Sequence, residues 1–158
     1  MTIQVGDKIP QGSFGVMGEK GPAGITTAEL FDGKKVVLFA VPGAFTPTCS
    51  MAHLPGFVVH VDAIKAEGVD TVACMSVNDV FVMDAWGKAS NAEHLLMLAD
   101  GNGTFTAALG LELDGTGYGM GTRSKRFAMI VENGVVTLLN VDAGALEGSS
   151  AEAILAAL

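Results

Sequence analysis

The run Val36-Val37-Leu38-Phe39-Ala40-Val41, closed at once by Pro42-Gly43, constrains this chain more than any other segment. Six consecutive apolar residues, three of them valine, are too few for a buried helix and leave no polar face. The run therefore reads as a strand buried on both sides. Covering both faces of a strand requires helices above and below the sheet, which points to an α/β architecture with right-handed crossovers.

The rest of the chain supplies those helices. A helix start is predicted at Pro47, running to Leu54, where Pro55-Gly56 should interrupt or kink it. Phe57, Val61 and Ile64 then share one face of a resumed helix. A second apolar strand is expected over 69–77. A helix over 79–89 follows, with Val82 and Trp86 one turn apart, then a short strand over 95–98. Residues 104–109 read as a short helix ended by Gly110. Asn133-Gly134 between the apolar runs 127–131 and 135–141 is a strong hairpin signal. Residues 151–158 read as a terminal helix. Upstream, 14–17 is expected as an edge strand and 27–31 as a short helix. The order predicts one α/β domain over 1–158 with a mixed sheet, compatible with a thioredoxin-like fold and with other small α/β folds.

Composition narrows the function. Of the 158 residues 49% are hydrophobic and the net charge is −8, the wrong sign for binding a phosphate backbone or an anionic membrane surface. No apolar run reaches the ~18 residues needed to span a bilayer. The first residues lack the basic and apolar stretches of a secretory signal. Two cysteines are too few for a disulfide scaffold. The expected compartment is the reducing cytoplasm, where a thiol is a candidate for chemistry.

Cys49 is that candidate. Thr46 suits an N-cap and Pro47 the first helical position, which places Cys49 at the third. There the free N–H groups and the positive end of the helix favour a thiolate, the nucleophilic form of cysteine. The alternative is a thiol merely buried at a helix start. A thiolate that displaces an oxygen leaving group needs donors for the charge that develops. The chain has only two arginines, Arg123 and Arg126, in Gly121-Thr122-Arg123-Ser124-Lys125-Arg126-Phe127. Arg126 abuts an apolar strand and is expected to face inward. A solvated basic patch accounts better for Lys125 and is an open alternative for Arg123.

These residues form a pattern. Pro42-Gly43-Ala44-Phe45-Thr46-Pro47-Thr48-Cys49 resembles the peroxiredoxin signature. Ser50-Met51-Ala52-His53-Leu54-Pro55-Gly56-Phe57, Val72 to Asp79, Ala85-Trp86 and Lys125-Arg126-Phe127-Ala128-Met129 resemble the peroxiredoxin 5, or type II, class. The likeness runs in order along nearly the whole chain. It implies a thioredoxin fold and reduction of hydrogen peroxide and alkyl hydroperoxides without metal or organic cofactor. It also implies that Cys49 is the peroxidatic cysteine, becoming a sulfenic acid. Thr46 would hydrogen-bond the peroxide, Pro42 would shield the sulfur, and Arg126 would stabilise the thiolate and the transition state. Backbone N–H groups at Thr48 and Cys49 would complete the donors, with Phe45 and Arg123 also beside the substrate. A homodimer is implied as well.

One departure from the pattern matters. Some members of the class carry a resolving cysteine near the C-terminus, but here residues 141–150 contain none. Cys74 remains, on a predicted buried strand, either as a core residue or as a resolving thiol. The pattern resembles members recycled by glutathione with glutaredoxin, thioredoxin being the other reductant considered. A disulfide oxidoreductase is disfavoured because no Cys-x-x-Cys occurs. A redox sensor or interaction module switched by Cys49 oxidation is the alternative function.

Other residues read plainly. His53, four residues after Cys49, is expected to be structural or to support the site indirectly; His60 and His94 have no company. Zinc-ligand spacing is absent. Gly115 to Gly121 is expected as a mobile loop near the active-site mouth, with Tyr118 or Met120 as apolar wall.

Overall fold

A computed structural model of the protein describes residues 2–158. The described chain begins with an antiparallel pair, β1 (Ser13–Gly18) and β2 (Gly21–Thr26), and a short helix, α1 (Thr27–Phe31). Thr26 and Glu29 form a capping box at the start of α1. The apolar run forms β3 (Lys35–Ala40), followed by α2 (Leu54–Ala66), β4 (Thr71–Ser76), α3 (Val80–Ala89) and β5 (Leu96–Ala99). Next come α4 (Thr104–Leu109), a small hairpin of β6 (Glu112–Asp114) and β7 (Thr122–Ser124), the hairpin β8 (Arg126–Glu132) and β9 (Val135–Asp142), and α5 (Ala151–Ala157).

Seven strands make one sheet in the order β2-β1-β5-β4-β3-β8-β9. β3 pairs in parallel with β4, and β4 with β5, while β8 returns antiparallel against β3. The alternation of side chains along β3 then divides the core in two. Val37, Phe39 and Val41 pack with Cys74 on β4 and with Phe57, Val61 and Ile64 of α2, Trp86 of α3 and Ile154 of α5. Val36, Leu38 and Ala40 pack on the opposite face with Leu30 and Phe31 of α1 and Phe105 and Leu109 of α4. Both faces of β3 are thus covered, which is why its sequence has no polar alternation. Phe39 and Phe57 stack with ring centroids 3.9 Å apart. Each such buried ring contributes about 1.5–3 kcal/mol through the area it removes from water.

Four local expectations are corrected. The strand expected at the sheet edge, β1, lies one place in, and β2 takes the edge. Its sequence Gly-Pro-Ala-Gly-Ile-Thr carries no strand pattern, and an edge position is where a proline is tolerated. The Gly115–Gly121 loop closes a small hairpin that was not expected: β6 and β7 pair on either side of it, with a 3₁₀ turn at Thr116–Tyr118. Strand limits move inward for β4, from 69–77 to Thr71–Ser76.

The fourth correction concerns Pro55. It neither breaks the helix nor ends it, since the helical backbone continues from Pro47 to Ala66. Proline has no N–H to give and its ring crowds the preceding turn. The chain answers with a π-turn over Cys49–His53, in which the Leu54 N–H reaches back to the Cys49 carbonyl. Such a turn widens the helix and displaces its side chains, and π-turns recur at functional sites.

Candidate active site

The site forms where the chain leaves β3. The Val41 N–H still bonds the Met75 carbonyl of β4, after which the backbone turns across the carboxyl ends of the central strands. Phe45 adopts a left-handed φ of 64°, uncommon outside glycine and a local strain. Asn78, at the end of the neighbouring strand, ties the turn down: its Oδ1 accepts from the Ala44 N–H at 2.9 Å and from the Ser76 hydroxyl at 2.6 Å. Thr46 stands before the first helical residue, and its carbonyl accepts from the Ser50 N–H. Its hydroxyl does not cap the helix as expected. It donates to the Gly43 carbonyl at 2.7 Å, the same carbonyl that accepts from the Thr46 N–H across the tight turn.

The π-turn carries Cys49 and His53, both buried. β8 supplies Arg126 as its first residue, buried and paired across the ladder with Asp142. Arg126 Nη2 donates to Cys49 Sγ at 3.1 Å, and Nη1 donates to His53 Nδ1 at 2.8 Å. His53 Nε2 lies 2.9 Å from the Ser149 carbonyl. An arginine can only donate and a carbonyl can only accept, so the imidazole is neutral with its proton on Nε2. Burial, helped by the adjacent Arg126 charge, holds the His53 pKa down at about 4 against the opposing pull of Ser149 and Asp142.

Asp142 organises the turn behind His53. It accepts from the Glu147, Gly148 and Ser149 amides and from the Ser149 hydroxyl. Partial burial works to raise its pKa, but the Ser149 hydroxyl and the three amides together hold it below the usual carboxylate value. On the other side of Cys49, Trp86 Nε1 donates to the Ser50 hydroxyl at 2.9 Å, so the single tryptophan is a core residue that also braces the helix start.

A buried thiol beside a guanidinium at a helix start is an arrangement for nucleophilic sulfur chemistry, and the comparisons agree. A sequence profile of the redoxin family matches residues 4–155. The chain is 48% identical to peroxiredoxin-2C of Arabidopsis thaliana, over 99% of this chain and 98% of that protein. The structure of reduced Prx3 from Vibrio vulnificus in complex with H2O2 superposes with a TM-score of 0.96 at 58% identity over 99% of each chain. The chain belongs to the redoxin family, as a peroxiredoxin. Peroxiredoxin 5 from Alvinella pompejana superposes with a TM-score of 0.86 at 37% identity, covering 98% of this chain and 96% of that one. The fold is thioredoxin-like and the activity is that of a thiol peroxidase.

Within this peroxiredoxin the other residues singled out in the sequence divide sharply. Pro42 lines, with Leu113, Arg126 and Val141, a cavity of about 400 Å³. Arg123 is engaged with backbone: its Nε and Nη1 donate to the carbonyls of Met120 and Val77 at 2.9 and 3.2 Å, so it fastens the β6–β7 hairpin to the end of β4 beside Gly43. Phe45 is 55% exposed, with its ring 6.4 Å from that of Trp86. Thr48 is exposed on the first helical turn. Tyr118 is 88% exposed and forms no wall, whereas Met120 sits against the Gly43 backbone. Cys74 is sealed in β4, where burial, reinforced by the charge of Cys49, raises its pKa well above the ordinary thiol value. Among the described residues no three His, Cys, Asp or Glu side chains converge to hold a metal ion.

Asn78, Asp142 and Ser149 are the site's unforeseen members. A signal existed for each. Ser76-x-Asn78-Asp79 at a strand end and Asp142 ahead of Gly148-Ser149-Ser150 are clusters of turn-forming residues, but nothing in the sequence says that Asn78 reaches Ala44 or that Ser149 reaches His53.

Proposed function

We propose that Cys49 is the peroxidatic cysteine of an enzyme reducing hydrogen peroxide and alkyl hydroperoxides, recycled by glutathione with glutaredoxin. The observation that carries this reading is the 3.1 Å contact of Arg126 Nη2 with Cys49 Sγ inside a buried site. The Cys49 thiolate attacks the nearer peroxide oxygen. An S–O bond forms as the O–O bond breaks, the sulfur is oxidised by two electrons, and the departing alkoxide or hydroxide takes a proton from water. Arg126 is already placed where negative charge passes from sulfur to the leaving oxygen, so little reorganisation accompanies the reaction. The Thr46 hydroxyl and the amides of Thr48 and Cys49 orient the peroxide, and Pro42 shields the sulfur. The Vibrio Prx3 captured with H2O2 supports that substrate for the same fold.

The sulfenic acid is then resolved from outside. No cysteine follows residue 74, and Cys74 is fixed within the central strand β4, between its partners β3 and β5. A thiol condenses with the sulfenic acid, releasing water and leaving a mixed disulfide; a second thiol frees Cys49 and departs as the disulfide. Two exposed apolar residues near Cys49, Phe45 and Met51, support a homodimer. The chain's two cysteines, too few for a disulfide scaffold, support a reducing, cytoplasmic setting.

The test is peroxide consumption by wild-type and Cys49→Ser protein, with glutathione plus glutaredoxin and with thioredoxin. Turnover by wild type with the glutathione system, and none by Cys49→Ser, is expected. Wild-type turnover by Cys49→Ser would refute the assignment, and turnover with thioredoxin alone would replace the reductant.

A further inference from the structure

We propose that His53 is a positioning residue, a neutral acceptor that aims Arg126 at Cys49 and is held in the one suitable tautomer by the Asp142-anchored turn. The inference rests on the reading of Cys49 as the reacting sulfur. A guanidinium buried in a protein is normally met by a carboxylate, which satisfies its donors and cancels its charge. Arg126 is not: among the described residues its polar side-chain contacts are the sulfur and the imidazole, and no carboxylate forms an ion pair with it. An imidazole lone pair fixes the orientation of the guanidinium without neutralising it. The whole positive charge is then left for the sulfur and for the oxygen it displaces.

The tautomer is as important as the contact. With its proton on Nδ1, His53 would repel Arg126, and only the Nε2–H form accepts. The Ser149 carbonyl selects that form, and it is held in place by the Asp142 carboxylate through the amide and hydroxyl of Ser149. The π-turn carries both residues, and their side chains reach the same guanidinium.

Three substitutions isolate the acceptor. Leucine, asparagine and aspartate each place an atom two bonds from Cβ, where Nδ1 stands in histidine. All three lose the bond to Ser149, and they differ in what they offer Arg126: nothing, a neutral acceptor or an anion. The measurement is the single-turnover, second-order rate of each folded protein with hydrogen peroxide, alongside Cys49→Ser. His53→Asn is expected to react at least about tenfold faster than His53→Leu, the order of a hydrogen bond to a charged group. It is also expected to outrun His53→Asp, whose carboxylate cancels the guanidinium charge. If the leucine variant does not fold, the asparagine and aspartate pair decides the matter. Equal rates among the folded variants, with Cys49→Ser inert, would overturn the positioning role. A reactive Cys49→Ser would instead overturn the reading beneath it.

Discussion

Cys49 and Cys74 are equally sealed from solvent and belong to the same core cluster, yet they meet opposite surroundings. Cys74 is held in the middle of β4, among apolar neighbours, and charge on its sulfur is disfavoured by burial. Cys49 stands at the first turn of a helix with a guanidinium on its sulfur. Burial therefore does not decide whether a thiol is chemically competent. What decides it is whether burial comes with donors. A sequestered sulfur with an aligned cation has a partner for the charge that passes through it during reaction, whereas one without a cation has none.

The sharpest way to break this comparison is to remove the cation. Arg126→Ala is expected to slow the reaction with peroxide about 10²- to 10³-fold, the range for losing one aligned donor to a developing charge. The same substitution at Arg123 should leave that step far less affected, since Arg123 binds two carbonyls of the neighbouring loops. Stopped-flow rates for the two variants check this, and equal losses would erase the distinction between them.

A second test acts through His53. Its ordinary pKa of 6.5 falls to about 4 in the folded protein. Between those values the unfolded chain binds a proton that the folded one refuses. Stability from this group is therefore complete above pH 6.5 and lost as the pH falls towards 4, by up to about 3 kcal/mol. Urea unfolding at pH 7 and pH 4.5 should show that loss in wild type and a smaller one in His53→Asn. Identical pH dependence in the two proteins would contradict a neutral buried imidazole.

The smallest effect is expected at the other cysteine. Cys74→Ser buries a hydroxyl among apolar side chains and should destabilise the fold by about 1–3 kcal/mol, read as a shifted urea midpoint. Peroxide turnover with an external thiol should stay near the wild-type rate. Lost turnover with unchanged stability would make Cys74 a resolving thiol.

The fold was readable wherever burial imposed a pattern. β3 announced itself because both its faces are covered, and the β8–β9 hairpin because Asn133-Gly134 supplies its turn. β2 was not readable: an edge strand of glycine, proline and alanine needs no apolar alternation when its partner β1 provides the pairing. The Thr46-Pro47-x-Cys49 start and the inward Arg126 could be reasoned from local chemistry. The π-turn over Cys49–His53 could not, because its geometry settles a conflict between a missing N–H at Pro55 and a continuous helix. Nor could the Asn78 bond to Ala44 or the Ser149 bond to His53, whose partners are brought near only by the folded chain.

The most direct test of the central claim asks which sulfur the peroxide oxidises. Wild-type protein would be treated with one equivalent of hydrogen peroxide, trapped with a cyclic 1,3-dione that labels sulfenic acids, and mapped by peptide mass spectrometry. The label is expected on the peptide containing Cys49, absent from that containing Cys74, and strongly reduced in Arg126→Ala at short times. Label on Cys74, or equal labelling of Cys49 with and without Arg126, would contradict the account.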